Sequence, residues 1–171
     1  MNEVYAFDFE FDESSLLEEW NEYYSYAAKA YVDPRYEEWM KDPEMVAKYG
    51  NWDQNSWRIA KGEHTTYSDY LCEYFDIEAE PRFYILEGGS ILPPHIDLGT
   101  QCAINFLLGD DDTLAPVSFS SGNSYSYKTA LLNTSIEHGV KNGPTDRIIF
   151  KLSIMNEPFE SVKQKIQTKL G

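Results

Sequence analysis

The chain has 171 residues, with 29 acidic and 14 basic side chains and a net charge of −15. At 42% hydrophobic and 15% aromatic it can bury a core, which excludes wholesale disorder. Its acidity excludes a nucleic-acid or other polyphosphate partner held by bulk charge. No apolar run approaches the ~20 residues of a membrane span. The Met1-Asn2-Glu3 start lacks the basic flank and apolar core of an export signal. The expectation is therefore a cytoplasmic chain of one domain, at about 150 residues per domain, whose Cys72 and Cys102 stay reduced.

Charge and aromatics are uneven along the chain. Residues 1–80 hold 20 acids and 6 bases, all four tryptophans and 10 of the 13 tyrosines. No Gly/Ser/Pro linker separates this half from the rest, so the two halves read as layers of one domain. Val4 to Phe11 alternates, with Tyr5, Phe7, Phe9 and Phe11 on one side and Asp8 and Glu10 on the other, the period of a strand. Asp12 to Ser15 supplies N-caps for a helix through Leu16, Leu17, Trp20, Tyr23, Tyr24 and Ala27. Asp33-Pro34 stops it and opens a second helix around Tyr36, Trp39 and Met40. Gly50 to Gly62 reads as irregular. Thr65 to Phe75 is a third helix with Tyr67, Tyr70, Leu71 and Tyr74 on one stripe.

From residue 82 the punctuation changes. Turn clusters at Glu87–Ser90, Leu98–Thr100, Gly109–Thr113, Ser121–Asn123, Asn133–Ser135 and Asn142–Pro144 separate short runs. The runs are Arg82–Leu86, Leu92–Asp97, Gln101–Leu108, Ala115–Ser120, Ser124–Tyr127, Thr129–Leu132, Ile136–Lys141 and Arg147–Ile154. About eight strands in some 90 residues predict a β-sandwich, barrel or jelly roll. Glu157 to Leu170 reads as a closing helix with its bases near the C-terminus. Residues 1–80 are expected to support a β core at 81–155, with 156–171 as the C-terminal helix.

Three histidines are available: His64, His95 and His138. In a strand, positions i and i+2 share a face, so His95 and Asp97 can reach one metal while Ile96 turns the other way into packing. His138 lies 43 residues later on another strand and can close the site from across the barrel. Two imidazoles and one carboxylate on a single face leave three adjacent coordination positions open, the facial triad of non-haem Fe(II) chemistry. Two positions suit a chelating 2-oxo acid and one suits dioxygen. Arg147 stands nine residues after His138, at the start of the last strand. Its planar fork suits the far carboxylate of 2-oxoglutarate. Asn105 is the polar side chain of the run Ala103–Leu107; it can bond the near carboxylate of that co-substrate or satisfy the core. His64 reads as a surface residue, and Asp110-Asp111-Asp112 as a solvated hairpin turn without the spaced ligands of a calcium loop.

The stretches Pro93-Pro94-His95-Ile96-Asp97, Cys102-Ala103-Ile104-Asn105-Phe106, Glu137-His138-Gly139-Val140-Lys141-Asn142 and Asp146-Arg147-Ile148-Ile149-Phe150 resemble the aspartyl/asparaginyl β-hydroxylase-like branch of the Fe(II)/2-oxoglutarate-dependent oxygenases. The resemblance covers roughly residues 82–155. It implies a double-stranded β-helix of the cupin type, Fe(II) at His95, Asp97 and His138, and 2-oxoglutarate as co-substrate with its carboxylate at Arg147. Members acting on protein side chains commonly carry basic residues on the strand after the first histidine, and this chain has none between Ala103 and Leu107. The substrate is therefore left as a small molecule or a peptide, and the oligomeric state is open. The surface acids of residues 1–80 favour cationic or neutral substrates. The competing classes are a cupin-type metal protein without oxo-acid chemistry and a non-catalytic ligand-binding β-barrel.

Overall fold

The computed structural model describes residues 2–24, 28–29, 36–49, 57–61, 64–109 and 115–171. In chain order the elements are β1 (Val4–Ala6), α1 (Glu13–Tyr24), β2 (Ala28–Lys29), α2 (Tyr36–Lys41), α3 (Pro43–Tyr49), β3 (Trp57–Lys61) and α4 (Thr66–Phe75). Then come β4 (Glu80–Leu86), β5 (Ile91–His95), β6 (Cys102–Leu108), β7 (Val117–Phe119), β8 (Ser124–Tyr125), β9 (Thr129–Leu132), β10 (His138–Lys141), β11 (Arg147–Ile154) and α5 (Phe159–Leu170).

Local chemistry explains most of these boundaries. Asp12 caps α1, accepting from the Ser15 backbone at 3.0 Å and its hydroxyl at 2.7 Å. Thr65 and Ser68 form a reciprocal capping box on α4, which ends where Asp76 turns left-handed at φ 54°. Asp42 accepts from Glu44 N–H at 2.9 Å and so starts α3, a helix the sequence pattern does not announce.

The described strands form two antiparallel sheets. One runs β1-β9-β6-β11-β4-β3-β2, the other β5-β10-β7-β8. Of the eight strands from β4 to β11, β4, β6, β9 and β11 fall in the larger sheet and β5, β7, β8 and β10 in the smaller, the interleaving of a double-stranded β-helix. β1 and β3 then extend the larger sheet beyond β9 and β4.

Cross-strand partners share a face, so the register divides the larger sheet cleanly. On β11, Ile148, Phe150, Leu152 and Ile154 face outward with Phe83, Ile85, Ile104, Phe106 and Leu131. Leu16 and Trp20 of α1, Leu71 and Phe75 of α4, and Phe159, Val162 and Ile166 of α5 cover that face. Rings stack through it: Phe83 lies 5.0 Å from Phe150, and Trp20 5.8 Å from Phe83. The opposite face of β11 carries Arg147, Ile149, Lys151 and Ser153 toward the smaller sheet. Between the sheets an apolar cluster of Leu86, Val117, Phe119, Ala130, Leu132 and Val140 fills part of the space.

Three expectations are corrected. The strand expected at Val4–Phe11 ends at Ala6, because β9 offers only four residues of edge; Phe7 N–H makes the last bond to Thr129 O at 3.1 Å. Phe7, Phe9 and Phe11 still pack on the core. Within the segment expected to be irregular, Trp57–Lys61 is β3, paired along β4 from Trp57↔Leu86 to Lys61↔Arg82. That five-residue run has little periodicity of its own, and its strand form comes from the long-range partner. The helix expected to run to Asp33-Pro34 ends at Tyr24 and is followed by β2; Ala27, Asp33-Pro34 and Asp110-Asp111-Asp112 lie outside the described residues. Cys72 and Cys102 are free thiols. Among the described residues, no helix is long and apolar enough to cross a membrane.

Expressing residues 81–171 alone would uncover β9 and β4 at once and open Phe83, Phe106 and Phe150 to water. That fragment should be insoluble or unfold without a cooperative transition, since an apolar sheet face of this size drives aggregation. A soluble fragment with a sharp thermal transition by circular dichroism would show that the barrel folds without its helical layer.

Candidate metal centre

The site begins with backbone constraints. Pro93 and Pro94 have no N–H to give to a ladder, and the β5–β10 pairing slips at this point: His138 faces His95, while Val140 faces Leu92. The slip is possible because the residue between them on β10 is Gly139. A Cβ there would stand 2.7 Å from Leu92 O and 3.1 Å from Pro94 N, closer than real side chains approach. The two imidazoles are thereby brought to a ring separation of 4.7 Å. Asp97 lies two residues past His95 in a loop, where its N–H donates to Thr134 O at 3.0 Å.

Ring orientation decides what these side chains can do. His95 Nδ1–H donates to Pro93 O at 2.8 Å, and His138 Nδ1–H donates to Ile136 O at 2.8 Å. A carbonyl oxygen can only accept, so Nδ1 carries a proton in both rings, and Nε2 is the nitrogen each ring can offer to a metal. Those nitrogens converge on one oxygen: Asp97 Oδ1 is 3.3 Å from His95 Nε2 and 3.8 Å from His138 Nε2. The three atoms lie within 4.8 Å of one another, close enough for one cation to stand between them. Ligands at right angles, each about 2.1 Å from a metal, are about 3 Å apart, so the donor set fits a metal ion with little movement. The arrangement resembles the histidine–carbonyl pairs that orient ligating imidazoles elsewhere.

Lys151, which the sequence reading passed over, completes the electrostatics. Its ammonium bonds Asp97 Oδ2, the oxygen turned away from the imidazoles, and lies 5.2 Å from the centre of the Tyr84 ring. The two side chains are 12% and 16% exposed, so the ion pair is shielded from water. Burial alone would push the Asp97 carboxyl up; Lys151, the His95 hydrogen bond and His138 outweigh it and hold it well below the usual carboxylate range. Burial likewise works against the Lys151 ammonium, but Asp97 keeps its pKa above the ordinary value. For His138, burial and the neighbouring His95 dominate and push the imidazole from 6.5 down to about 4, leaving a neutral ligand at neutral pH.

Arg147 and Asn105 both lie on the inner wall. The Arg147 guanidinium is buried, bonds Ala115 O and donates to Tyr127 OH at 3.3 Å, and its Nε–H has no partner among the described residues. Asn105 donates to the same Tyr127 hydroxyl at 2.9 Å, and its Oδ1 is unpartnered. Asn105 stands directly across from Lys151, so a chain of polar groups runs from Arg147 through Tyr127 and Asn105 to the triad. Arg147 does not touch the triad; it sits four residues from Lys151 on the same face of β11. The period-2 reading of Arg147–Ile154 would have found Lys151, since residues 147, 149, 151 and 153 must share one face. Tyr127 carried no comparable signal. Ile96, expected in packing, is 41% exposed, because the strand ends at His95 and the alternation ends with it. His64 is exposed and stands 3.0 Å from Asp69, away from the triad. Asn142 and Asp146 hold the β10–β11 turn: Asn142 Nδ2 donates to Leu86 O at 2.8 Å, and Asp146 accepts from Gly88 N–H at 2.9 Å.

No family model and no curated protein matches the chain. Among solved structures it is similar to a prolyl-4-hydroxylase from Pseudomonas putida, with TM-score 0.57 and 10% identity over 90% of this chain and 93% of that one. A predicted oxalate decarboxylase from Thermotoga maritima aligns at TM-score 0.40 and 16% identity, over 58% of this chain and 80% of that one. An RmlC-like cupin protein from Desulfovibrio desulfuricans aligns at TM-score 0.39 and 9% identity, over 60% and 87%. At these identities the likeness concerns the fold. The strand interleaving above, with the prolyl-4-hydroxylase likeness, defines a mainly antiparallel double-stranded β-helix, a jelly roll.

The His138 shift has a consequence for stability. A pKa held at about 4 in the folded protein against 6.5 unfolded gives stability that is full above pH ~6.5 and is lost as pH falls toward ~4. Asp97, shifted downward, adds its own loss only below its ordinary value of 3.8. In chelator-treated protein the melting temperature should fall across pH 6.5 to 4, and His138→Gln should flatten that window. A level profile there in the unmutated protein would contradict the buried neutral imidazole.

Proposed function

We propose that the protein is an Fe(II)- and 2-oxoglutarate-dependent oxygenase, a hydroxylase of the aspartyl/asparaginyl β-hydroxylase-like branch. The observation that carries this reading is the convergence of His95 Nε2, His138 Nε2 and Asp97 Oδ1 on one point. In this reading His95, Asp97 and His138 hold the iron from one side, and the other side stays open for ligands. Arg147, with Tyr127 beside it, binds the far carboxylate of the co-substrate from the inner wall. Asn105, with its free Oδ1 and its bond to Tyr127, positions the co-substrate between the two. Bound there, Fe(II) would supply oxidation of a substrate C–H bond by dioxygen, coupled to decarboxylation of 2-oxoglutarate to succinate.

The chain's own residues do the rest. The carbonyls of Pro93 and Ile136 keep the imidazoles in the ligating tautomer. The apolar cluster packed between the sheets keeps water from that part of the interior. The buried Arg147, whose Nε–H has no partner among the described residues, supports the oxo-acid reading over a cupin metal protein without that chemistry. The prolyl-4-hydroxylase likeness supports a fold able to carry such a site.

Incubation with Fe(II), ascorbate and 2-oxoglutarate should release succinate slowly even without the true substrate, and Asp97→Ala should abolish that release. Arg147→Lys keeps the charge and loses the fork. It should raise the Michaelis constant for 2-oxoglutarate about ten-fold or more, since a charge-assisted hydrogen bond is worth about 1.5–3 kcal/mol, while metal binding is spared. No succinate from the unmutated protein, or no kinetic change in Arg147→Lys, would contradict the reading.

A further inference from the structure

The wall beside the triad at its outer end carries two bases, although the protein as a whole is acidic, and Glu80, across from Ser153, shares that face and pairs with Arg82. Arg82 of β4 and Lys151 of β11 are direct cross-strand partners, and Ser153 lies two residues beyond Lys151 on the same face. Partners of this kind have Cβ atoms about 5 Å apart, and i, i+2 neighbours on a strand are about 7 Å apart. Three donors are thus gathered beside the triad. Ser153 is 1% exposed, and its hydroxyl has no partner. The Arg82 guanidinium is held by Glu80 at 2.6 Å and by the Tyr84 side chain, but its buried Nε–H has no partner among the described residues. The Lys151 ammonium gives one N–H to Asp97 and has two more. Orphaned buried donors are costly and rare in folded proteins, and here two of them adjoin a buried ammonium.

Charge points the same way. Glu80 balances Arg82, Lys151 balances Asp97, and an imidazole bound to a metal is a neutral ligand. A divalent ion with the near carboxylate of an oxo acid then leaves one uncompensated positive charge in a shielded site, which a single negative charge would neutralise.

We propose that Arg82, Lys151 and Ser153 form a carboxylate subsite and that the oxidised substrate is an acid, held by its own carboxylate next to the metal. The charge of the substrate then follows from this wall and not from the acidic outer surface. The proposal deepens the oxygenase reading and rests on it for the word substrate; the subsite itself rests on the donors.

The test is a calorimetric titration of protein loaded with Mn(II) and saturating 2-oxoglutarate. The probes are N-acetylglycine and N-acetyl-leucine, each against its uncharged amide. The acids should bind at least about ten-fold more tightly than the amides. Arg82→Gln and Ser153→Ala should each lower acid affinity about ten-fold, the value of one charge-assisted hydrogen bond, without changing Mn(II) affinity. Ser153→Ala should melt no lower than the unmutated protein, because it removes an orphaned hydroxyl; a merely structural serine would show the reverse. Lys151→Gln should also lose acid affinity. Equal binding of acids and amides, no binding of either acid at millimolar concentration, or unchanged acid affinity in both Arg82→Gln and Ser153→Ala would overturn the subsite. Absence of 2-oxoglutarate binding together with acid binding at these residues would sink the oxygenase reading and leave the subsite standing.

Discussion

The site depends on one close backbone approach. β10 meets β5 where two consecutive prolines cannot join the ladder, and only a residue without a Cβ can lie against that segment. The contact of Gly139 with Leu92 and Pro94 sets His138 opposite His95, and the Pro93 and Ile136 carbonyls then fix both rings with Nε2 inward. Orientation and tautomer are thus set by main-chain atoms, which have little freedom to rearrange. This is the pre-organisation a metal site needs, since ligands that are already aimed lose little entropy on binding.

Charge is handled with comparable economy. An unpaired buried carboxylate would shift its pKa and take up a proton, and a protonated Asp97 could not serve as an anionic ligand. Lys151 prevents this by bonding the oxygen that faces away from the imidazoles, so the other oxygen is left for a cation. The helices contribute indirectly: they bury the outer face of β11, and that burial forces Arg147, Lys151 and Ser153 to the inner face by strict alternation.

The barrel was legible in the sequence because it is built from local signals. Turn residues cut the segment from 82 to 154 into eight runs, and each run corresponds to a strand. Boundaries moved where pairing partners ran out, as at Asp97, expected inside a strand and found in the loop after His95. β3 was not legible, because Trp57–Lys61 becomes a strand only by lying along β4, more than twenty residues away in sequence. His95, Asp97, His138, Arg147 and Asn105 could be singled out from spacing, residue type and family resemblance. Alternation could place Lys151 on the face of Arg147, but its pairing with Asp97 over 54 positions, like the bond of Tyr127 to Asn105 over 22, depends on distances across the barrel.

The central claim is that His95, Asp97 and His138 bind one metal ion through Nε2, a single carboxylate oxygen and Nε2. A crystal structure of protein soaked in Mn(II), with anomalous scattering recorded to locate the ion, tests it most directly. The account predicts one strong peak about 2.1 Å from His95 Nε2, His138 Nε2 and Asp97 Oδ1, with Lys151 still on Oδ2. A peak elsewhere, ligation through Nδ1, or no peak at this point under saturating metal would contradict it.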